Sequence, residues 1–453
     1  MAFRSVAAAL VVAGTVAAAG GAARPLVRGD DLLERRSLSC GVPLAVLPVA
    51  DAPLETFFAL LPLGMAHDDA GRTQWGHLLE HLLIRTTDAE GLADGDISFN
   101  GETGDATLRL DVHAPPALAP QAAAKLSRWL AAESFDPAAL EREKGKVLAE
   151  FETTVPAGYT HKWATAAWAQ AVRHGTDDVA LRGDVQAATV EALAEYWAAK
   201  RTRAPGLALY ASGPLPTAKV AALFEEPGAS AAAPPPAAAP PRASDEAAGA
   251  GAVAKEWRRG EVTARWDLAR PHVIEWYLVP DGDAAARVTT LLLVQTLTQT
   301  LMSDPKLQQA RVIALVSADA AFPEGRLVQF SASLPDAGAA ATARAAFARA
   351  RERLTSAPPA GSLDRWLQQV RAELSSGLPD FRRLRGQWAG RQQQQFVEAQ
   401  LLLALALRER SSGLSLATMA ATAEQLTGGA VKKFRDEQLA AERANVLLLL
   451  PRG

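Results

Sequence analysis

Gly76-His77-Leu78-Leu79-Glu80-His81-Leu82-Leu83-Ile84-Arg85-Thr86 is the stretch from which the rest of the chain is read. It holds His77, Glu80 and His81 in the spacing His-x-x-Glu-His. On a helix, positions i, i+3 and i+4 share one face. Both imidazoles can then reach one metal ion, with the carboxylate beside them. The leucines and Ile84 supply the apolar residues that would bury the rest of such a helix. Two histidines do not complete a catalytic zinc set, which usually takes three protein ligands and one water. A third ligand must come from elsewhere in the chain.

The bulk properties narrow the field. At 453 residues the chain is too long for one ordinary domain and suggests two or three. A formal charge of −3 argues against a nucleic-acid protein. The single cysteine, Cys40, excludes both an intrachain disulfide and a cysteine-based zinc site. Arg4 precedes an Ala/Val-rich run, Val6 to Ala19, and Gly21-Ala22-Ala23 offers small residues for cleavage. Residues 1–23 therefore read as a signal peptide, and the protein as exported, periplasmic or secreted. The run is too short and too poor in Leu and Ile for a good membrane span, and no other stretch resembles one.

In chain order, residues 24–36 are charged and read as loose. Leu44 to Val49 and Thr56 to Leu61 read as paired strands, and Gly64 to Arg72 as a loop into the motif helix, which starts near Gly71 or Thr73. Residues 97–103 and 106–112 follow, the second an alternating strand. Ala119 to Glu133 is a helix with Leu126, Trp129 and Leu130 as its stripe. Asp136-Pro137 is a helix start, an N-cap followed by proline at the first position. That helix runs to about Thr153 and carries Glu141, Glu143, Glu150 and Glu152. Glu143 and Glu150 are two turns apart and share a face. A solvated carboxylate is the default for Glu141 and Glu152, and composition alone does not select which carboxylate points inward. Lys162 to Val172 and Thr189 to Lys200 are helical by pattern, Leu207 to Ala211 is a strand, and Thr217 to Phe224 a helix.

Residues 227–251 are Pro, Ala, Gly and Ser with almost no large apolar residue, an extended linker. The expected organisation is a first domain at 24–226, a linker at 227–256 and a second domain at 257–453. The second half repeats the element types: strand (Val273 to Val279), long helix (Ala285 to Met302), strands (Val312 to Val316, Val328 to Leu334), long helix (Ala340 to Leu354), helices from Leu363 onward, and a last strand (Ala444 to Leu450). Two similar halves of this kind suggest duplicated α+β domains. The second half contains only His272 and nothing like His-x-x-Glu-His.

His-x-x-Glu-His is the inverted zinc-peptidase signature, and several separated motifs extend the likeness. The chain resembles the pitrilysin/insulinase zinc peptidases, in the half-length form that includes the mitochondrial processing peptidase subunits. Leu38-Ser39-Cys40-Gly41-Val42 resembles the family's opening strand. Gly64 sits where the family keeps a glycine before the motif helix, and Phe99-Asn100-Gly101-Glu102-Thr103 resembles its N-A-x-T segment. Glu143-x6-Glu150 resembles its downstream glutamate pair, and His174-Gly175 to Gly183, Thr189 to Trp197 and Leu207 to Gly213 resemble its end-of-domain run.

The resemblance implies two similar domains, each a mainly antiparallel sheet packed with helices, forming half of a clamshell chamber. It implies one Zn2+ per chain, held by His77, His81 and Glu150, with Glu143 backing the ligands and Glu80 as general base. The interval from His81 to Glu150 is shorter than the family's, which implies a trimmed loop around Asp88 to Asp96. Phe99, Asn100, Gly101 and Thr103 would lie on an edge strand that holds a peptide substrate by its main chain. One departure stands out. Where the family carries an Arg and a Tyr that bind substrate across the chamber, this chain has Gln308 and Ala314. The implied reading is a zinc endopeptidase whose homologous partner supplies that pair in a heterodimer. The alternatives are a non-catalytic scaffold subunit of the same fold, or a zinc- or peptide-binding module without turnover.

Overall fold

The computed structural model describes residues 33–50, 52–85, 97–154, 161–201, 206–225, 257–355 and 397–452. The expected signal peptide, the loop at 88–96, the linker at 227–256 and the helical expectation from Leu363 up to residue 396 lie outside the described residues. No helix among the described residues is long and apolar enough to cross a membrane.

The first sheet is built from β1 (Glu34–Ser37), β2 (Pro43–Pro48), β3 (Glu55–Leu61), β4 (Ser98–Thr103), β5 (Leu108–Ala114) and β7 (Ala208–Gly213), in the order β1-β2-β7-β3-β5-β4. Two expectations need correction. Leu44–Val49 and Thr56–Leu61 form strands but do not pair with each other. β7 lies between them, parallel to β2 and antiparallel to β3. Residues 34–36, expected to be loose, lie in β1, which adds an antiparallel edge strand to β2.

The second sheet takes β6 (Asp178–Val179), β8 (Glu261–Trp266), β9 (His272–Val279), β10 (Ile313–Ser317), β12 (Gly325–Ser333) and β13 (Asn445–Pro451), in the order β10-β12-β9-β13-β8-β6, with the short β11 (Ala321–Phe322) paired to β12. Numbered within each half, the five main strands follow the same path, first-fifth-second-fourth-third. In both, the first and fifth strands are parallel and every other neighbour is antiparallel. The duplication read from the sequence is therefore a duplication of topology. β6 is the exception: it comes from the first half and pairs with β8 in the second sheet.

Helices cover the sheets: α1 (Trp75–Arg85), α2 (Ala119–Ala131), α3 (Pro137–Thr154), α4 (His161–Trp168, continued by a π-helical turn to Arg173), α5 (Leu181–Ala187), α6 (Val190–Arg201) and α7 (Thr217–Glu225) come from the first half. From the second come α8 (Ala284–Met302), α9 (Pro305–Gln309), α10 (Ala340–Thr355), α11 (Val397–Ser412), α12 (Leu416–Gln425) and α13 (Gly428–Gln438).

β3 is buried along its whole length because both faces are covered. Phe57, Ala59 and Leu61 join the cluster beneath α1 and α2, and Phe58 and Leu60 join a cluster shared with the second half. A strand covered on both sides reads as a continuous apolar run rather than an alternation. α4 carries Trp168 onto the second half, where its ring meets Trp257 at 5.3 Å and Trp276 at 5.8 Å.

Three features hold the site region in place. Asp136 caps α3 by accepting from the amides of Ala138 and Ala139, both at 3.1 Å, as its sequence implied. Leu78, Leu79, Leu82 and Leu83 of α1 have no solvent exposure. Each is worth about 1.5–3 kcal/mol relative to an exposed position. The segment after Gly64 pairs with the β4–β5 turn through Met65 N to Gly104 O at 3.0 Å and Ala66 N to Asp105 O at 2.9 Å. A Cβ on Gly64 would lie 2.4 Å from the backbone of Ala106, so no larger residue fits.

Candidate metal centre

α1 begins at Trp75, slightly later than its sequence suggested, and Gln74 precedes it with φ 68°. Gln74 O accepts the first helical hydrogen bond from Leu78 N at 2.9 Å. The free amides of this helix start are met by Asp68, whose Oδ2 accepts from Gln74 N at 2.8 Å and whose Oδ1 faces Gly76 N at 3.5 Å. Tyr196 donates to the same Oδ1 at 3.2 Å. Burial pushes the Asp68 carboxyl up to about 7, against the pull of these donors and of Lys200.

The buried leucines fix the rotation of α1, and that rotation turns His77, Glu80 and His81 toward α3 and β4. His77 and Glu80 are 6 % and 7 % exposed. From α3, Glu143 is 1 % exposed, whereas the Glu150 side chain is 44 % exposed. The shared face read for these two glutamates is the face that meets α1. Glu141 stays exposed, where it pairs with Lys144 at 2.8 Å.

His77 Nε2 lies 3.3 Å from Glu150 Oε2, and His81 Nε2 lies 3.4 Å from Glu150 Oε1. The three ligand atoms fall within 4.8 Å of one another. A charge-assisted N–H···O bond closes to about 2.7–2.9 Å. Two contacts of 3.3–3.4 Å are long for that. The two imidazole nitrogens and one carboxylate lie close enough together for a single cation to reach all three.

Both imidazoles turn Nδ1 away from the cluster. His77 Nδ1 lies 3.1 Å from Gln74 Oε1, and His81 Nδ1 lies 3.1 Å from Glu143 Oε2. An acceptor on Nδ1 places the proton there and leaves the Nε2 lone pair for a ligand. Lys146 braces Glu143 from the next turn at 2.6 Å. Burial alone would push the His81 imidazole down, but Glu150, Glu80 and Glu143 outweigh it and the net shift is upward. Burial would likewise raise Glu143 and Glu150. Lys146 and His81 reverse this for Glu143, and His77 and His81 hold Glu150 well below the usual carboxylate range. Both carboxylates are thus kept as anions, the form in which a carboxylate ligates or backs a divalent cation site.

Glu80 stands outside this ligand set. Thr103 Oγ1 donates to Glu80 Oε2 at 2.7 Å. A Cβ on Gly101 would come within 2.6 Å of Glu80 Cγ and Ile84 Cδ1, so any larger residue there would push the Glu80 and Ile84 side chains aside. Phe99 packs against Trp129 at 5.6 Å, with the Lys125 ammonium 4.2 Å from its ring centre. Asn100 is exposed, and among the described residues β4 ends the sheet. The structure thus brings His77, His81, Glu150, Glu143, Glu80, Gly101 and Thr103 into one neighbourhood. Gln308 is exposed on α9, and Ala314 is 7 % exposed in β10.

Sequence reading missed Asp68, Gln74 and Gln170. Gln170, on the π-helical turn, donates to Asp69 O at 2.9 Å and accepts from Gly71 N at 3.2 Å, pinning the loop before α1. No local pattern marks these three, because their partners are distant in sequence or, for Gln74, depend on an unusual backbone angle.

No family model matches the sequence, and no curated protein does. Solved structures do match the fold. A protease from Helicobacter pylori superposes with a TM-score of 0.63 at 13% identity, over 92% of this chain and 99% of that one. A peptidase M16 inactive domain from Pseudomonas fluorescens gives 0.58 at 16% identity, over 93% and 98%. The first half of the periplasmic protease PqqL from Escherichia coli gives 0.55 at 14% identity, over 94% and 93%. The structural neighbours are M16-like peptidases of the pitrilysin type, and this chain has their half-length, two-domain fold.

Proposed function

We propose that the chain is a zinc-dependent endopeptidase acting on peptides or unfolded segments in an enclosed chamber, and that it is the zinc-bearing subunit of a heterodimer. The observation that carries this reading is the convergence of His77, His81 and Glu150, with Glu80 beside them and outside the ligand set. Nitrogen and carboxylate donors in this number suit zinc and leave a position open. Zinc, when bound, supplies Lewis acidity, acidifying a coordinated water and polarising a peptide carbonyl. Glu80 takes the proton from the attacking water and passes it to the leaving amine. Thr103 orients that carboxylate, and Glu143 holds the His81 ring.

Among the described residues β4 is the last strand of its sheet, an edge on which a peptide would add as a further strand, which gives affinity with little sequence demand. Within the segment of Phe99, Asn100, Gly101 and Thr103, every second residue would offer its main chain to the peptide, the others being paired with β5, and the Thr103 side chain is already engaged by Glu80. Gln308 and the buried Ala314 offer neither a cation nor a phenol, which supports a partner that provides both. The repeated strand order supports domains at 24–226 and 257–453 about the linker. The N-terminal run supports export, and one structural neighbour is a periplasmic protease.

A non-catalytic core subunit is the second reading, favoured by the likeness to an inactive domain. A scaffold has no use for four matched site residues, so the geometry weighs against it. Elemental analysis of the purified chain decides. We expect one zinc per chain, lost in His77→Ala. No zinc in the wild type, even after zinc is supplied, would hand the lead to the scaffold. Efficient cleavage by the chain alone would remove the heterodimer.

A further inference from the structure

Gln74 breaks two local rules at once. It is one of two non-glycine residues with positive φ among the described residues, at 68°, a conformation that side chains with a Cβ rarely adopt. It is also fully buried, and its amide Nε2 has no hydrogen-bond partner, an arrangement proteins normally avoid. Its backbone is clamped on both sides, the N–H by Asp68 and the carbonyl by Leu78 N. A glycine would meet the same backbone demands and bury no amide. What glutamine adds is one atom, Oε1, 3.1 Å from His77 Nδ1. A residue that breaks local rules without other gain points to a role at a site.

The comparison with His81 shows what that role is. His81 has the Glu143 carboxylate on Nδ1 and directs Nε2 at Glu150. His77 directs its own Nε2 at the other Glu150 oxygen and has Gln74 on Nδ1. The two rings are held in the same way by different acceptors, one carried on α3 and one three residues upstream on the chain itself.

We propose that Gln74 is a positioning residue: its amide oxygen keeps the His77 proton on Nδ1 and turns the Nε2 lone pair into the metal site. This rests on the metal reading above, and it assigns the strained helix start to ligand preorganisation. Removing such an outer partner typically weakens metal binding by about 10–100-fold.

The test uses Gln74→Gly, which suits the backbone and lacks the acceptor, and Gln74→Glu, which restores one. Zinc is titrated against a chelator, and the thermal midpoint of the metal-free chain is measured in parallel. In Gln74→Gly the zinc affinity falls about 10–100-fold while the midpoint holds or rises; a merely structural glutamine would move both down together. Gln74→Glu recovers the affinity. If the glycine variant does not fold, Gln74→Met keeps the volume and removes the acceptor. Nitrogen shifts of 15N-labelled histidine in the metal-free chain give a reading that needs no zinc. His77 is in the Nδ1–H tautomer in the wild type, and the Nε2–H form grows in Gln74→Gly. A wild-type chain that binds no zinc would overturn the metal reading, and the tautomer measurement would still judge Gln74. Unchanged affinity and unchanged tautomer in Gln74→Gly would overturn this inference.

Discussion

In the first half, the helix that follows the second sheet strand is α1; in the second half, its counterpart is α8. Both lie on sheets of identical strand order, and both bury leucines completely, Leu82 on one and Leu297 on the other. Their polar residues behave differently. On α8, Thr290, Thr296 and Thr300 each donate their hydroxyl to the carbonyl four residues back, at 2.9, 3.1 and 2.9 Å. Their polarity is consumed within the helix. On α1, His77, Glu80 and His81 find partners on α3, on β4 and at Gln74. The same topology serves packing in one copy and a convergent cluster in the other, so activity has to be argued from the cluster and not from the fold.

The largest effect should come from Glu80, part of a motif the second half lacks. Glu80→Gln keeps the shape and the Thr103 contact but removes the base. We expect zinc content to stay at the wild-type level and peptide hydrolysis to fall by about 10²–10⁴-fold. Hydrolysis unchanged in a zinc-loaded variant would take Glu80 out of the mechanism.

Next comes a paired test of what the two helices share. Leu82→Ala and Leu297→Ala each remove a fully buried side chain and should cost about 2–5 kcal/mol in denaturant unfolding. Only Leu82→Ala should also loosen zinc binding, because Leu82 neighbours His81 and packs the helix that aims it. If both variants weakened zinc equally, the two halves would be coupled more tightly than their separate roles imply.

What was legible beforehand follows the range of the forces involved. Helices α1 and α3 were legible because their signals are local: leucines at helical spacing, and Asp136-Pro137 as cap and first turn. The duplication was legible from element order alone. The insertion of β7 between β2 and β3 was not, since strand partnership depends on contacts far apart in sequence, such as Leu60 with Ala208 and Leu44 with Leu209. β6 is two residues long, has no periodicity to detect, and reaches a sheet belonging to the other half. β8 was overlooked although Ala264 and Trp266 alternate with exposed residues. In the site, His77, Glu80 and His81 were legible by spacing, and Glu143 and Glu150 by family likeness. Gln74 and Asp68 were hidden because their roles rest on a left-handed backbone and on a cap that spans six residues of loop.

The smallest expected effects concern those caps. α8 is capped by its neighbour Asp283, which accepts from Ala286 N at 2.9 Å at an exposed position. Asp283→Ala should lower stability by about 1 kcal/mol. α1 is served instead by the buried Asp68, whose carboxyl is pushed up to about 7. In the unfolded chain that group titrates near about 4. Between these values the folded state holds a proton that the unfolded state has lost, so this group's contribution is full below about pH 4 and is lost as pH rises to about 7. The stability difference between wild type and Asp68→Asn, read from denaturant midpoints, should therefore shift against the wild type across that window and level off above it. A difference that stayed flat with pH would mean that the backbone and Tyr196 donors keep Asp68 ionised throughout. The two caps would then differ in burial alone.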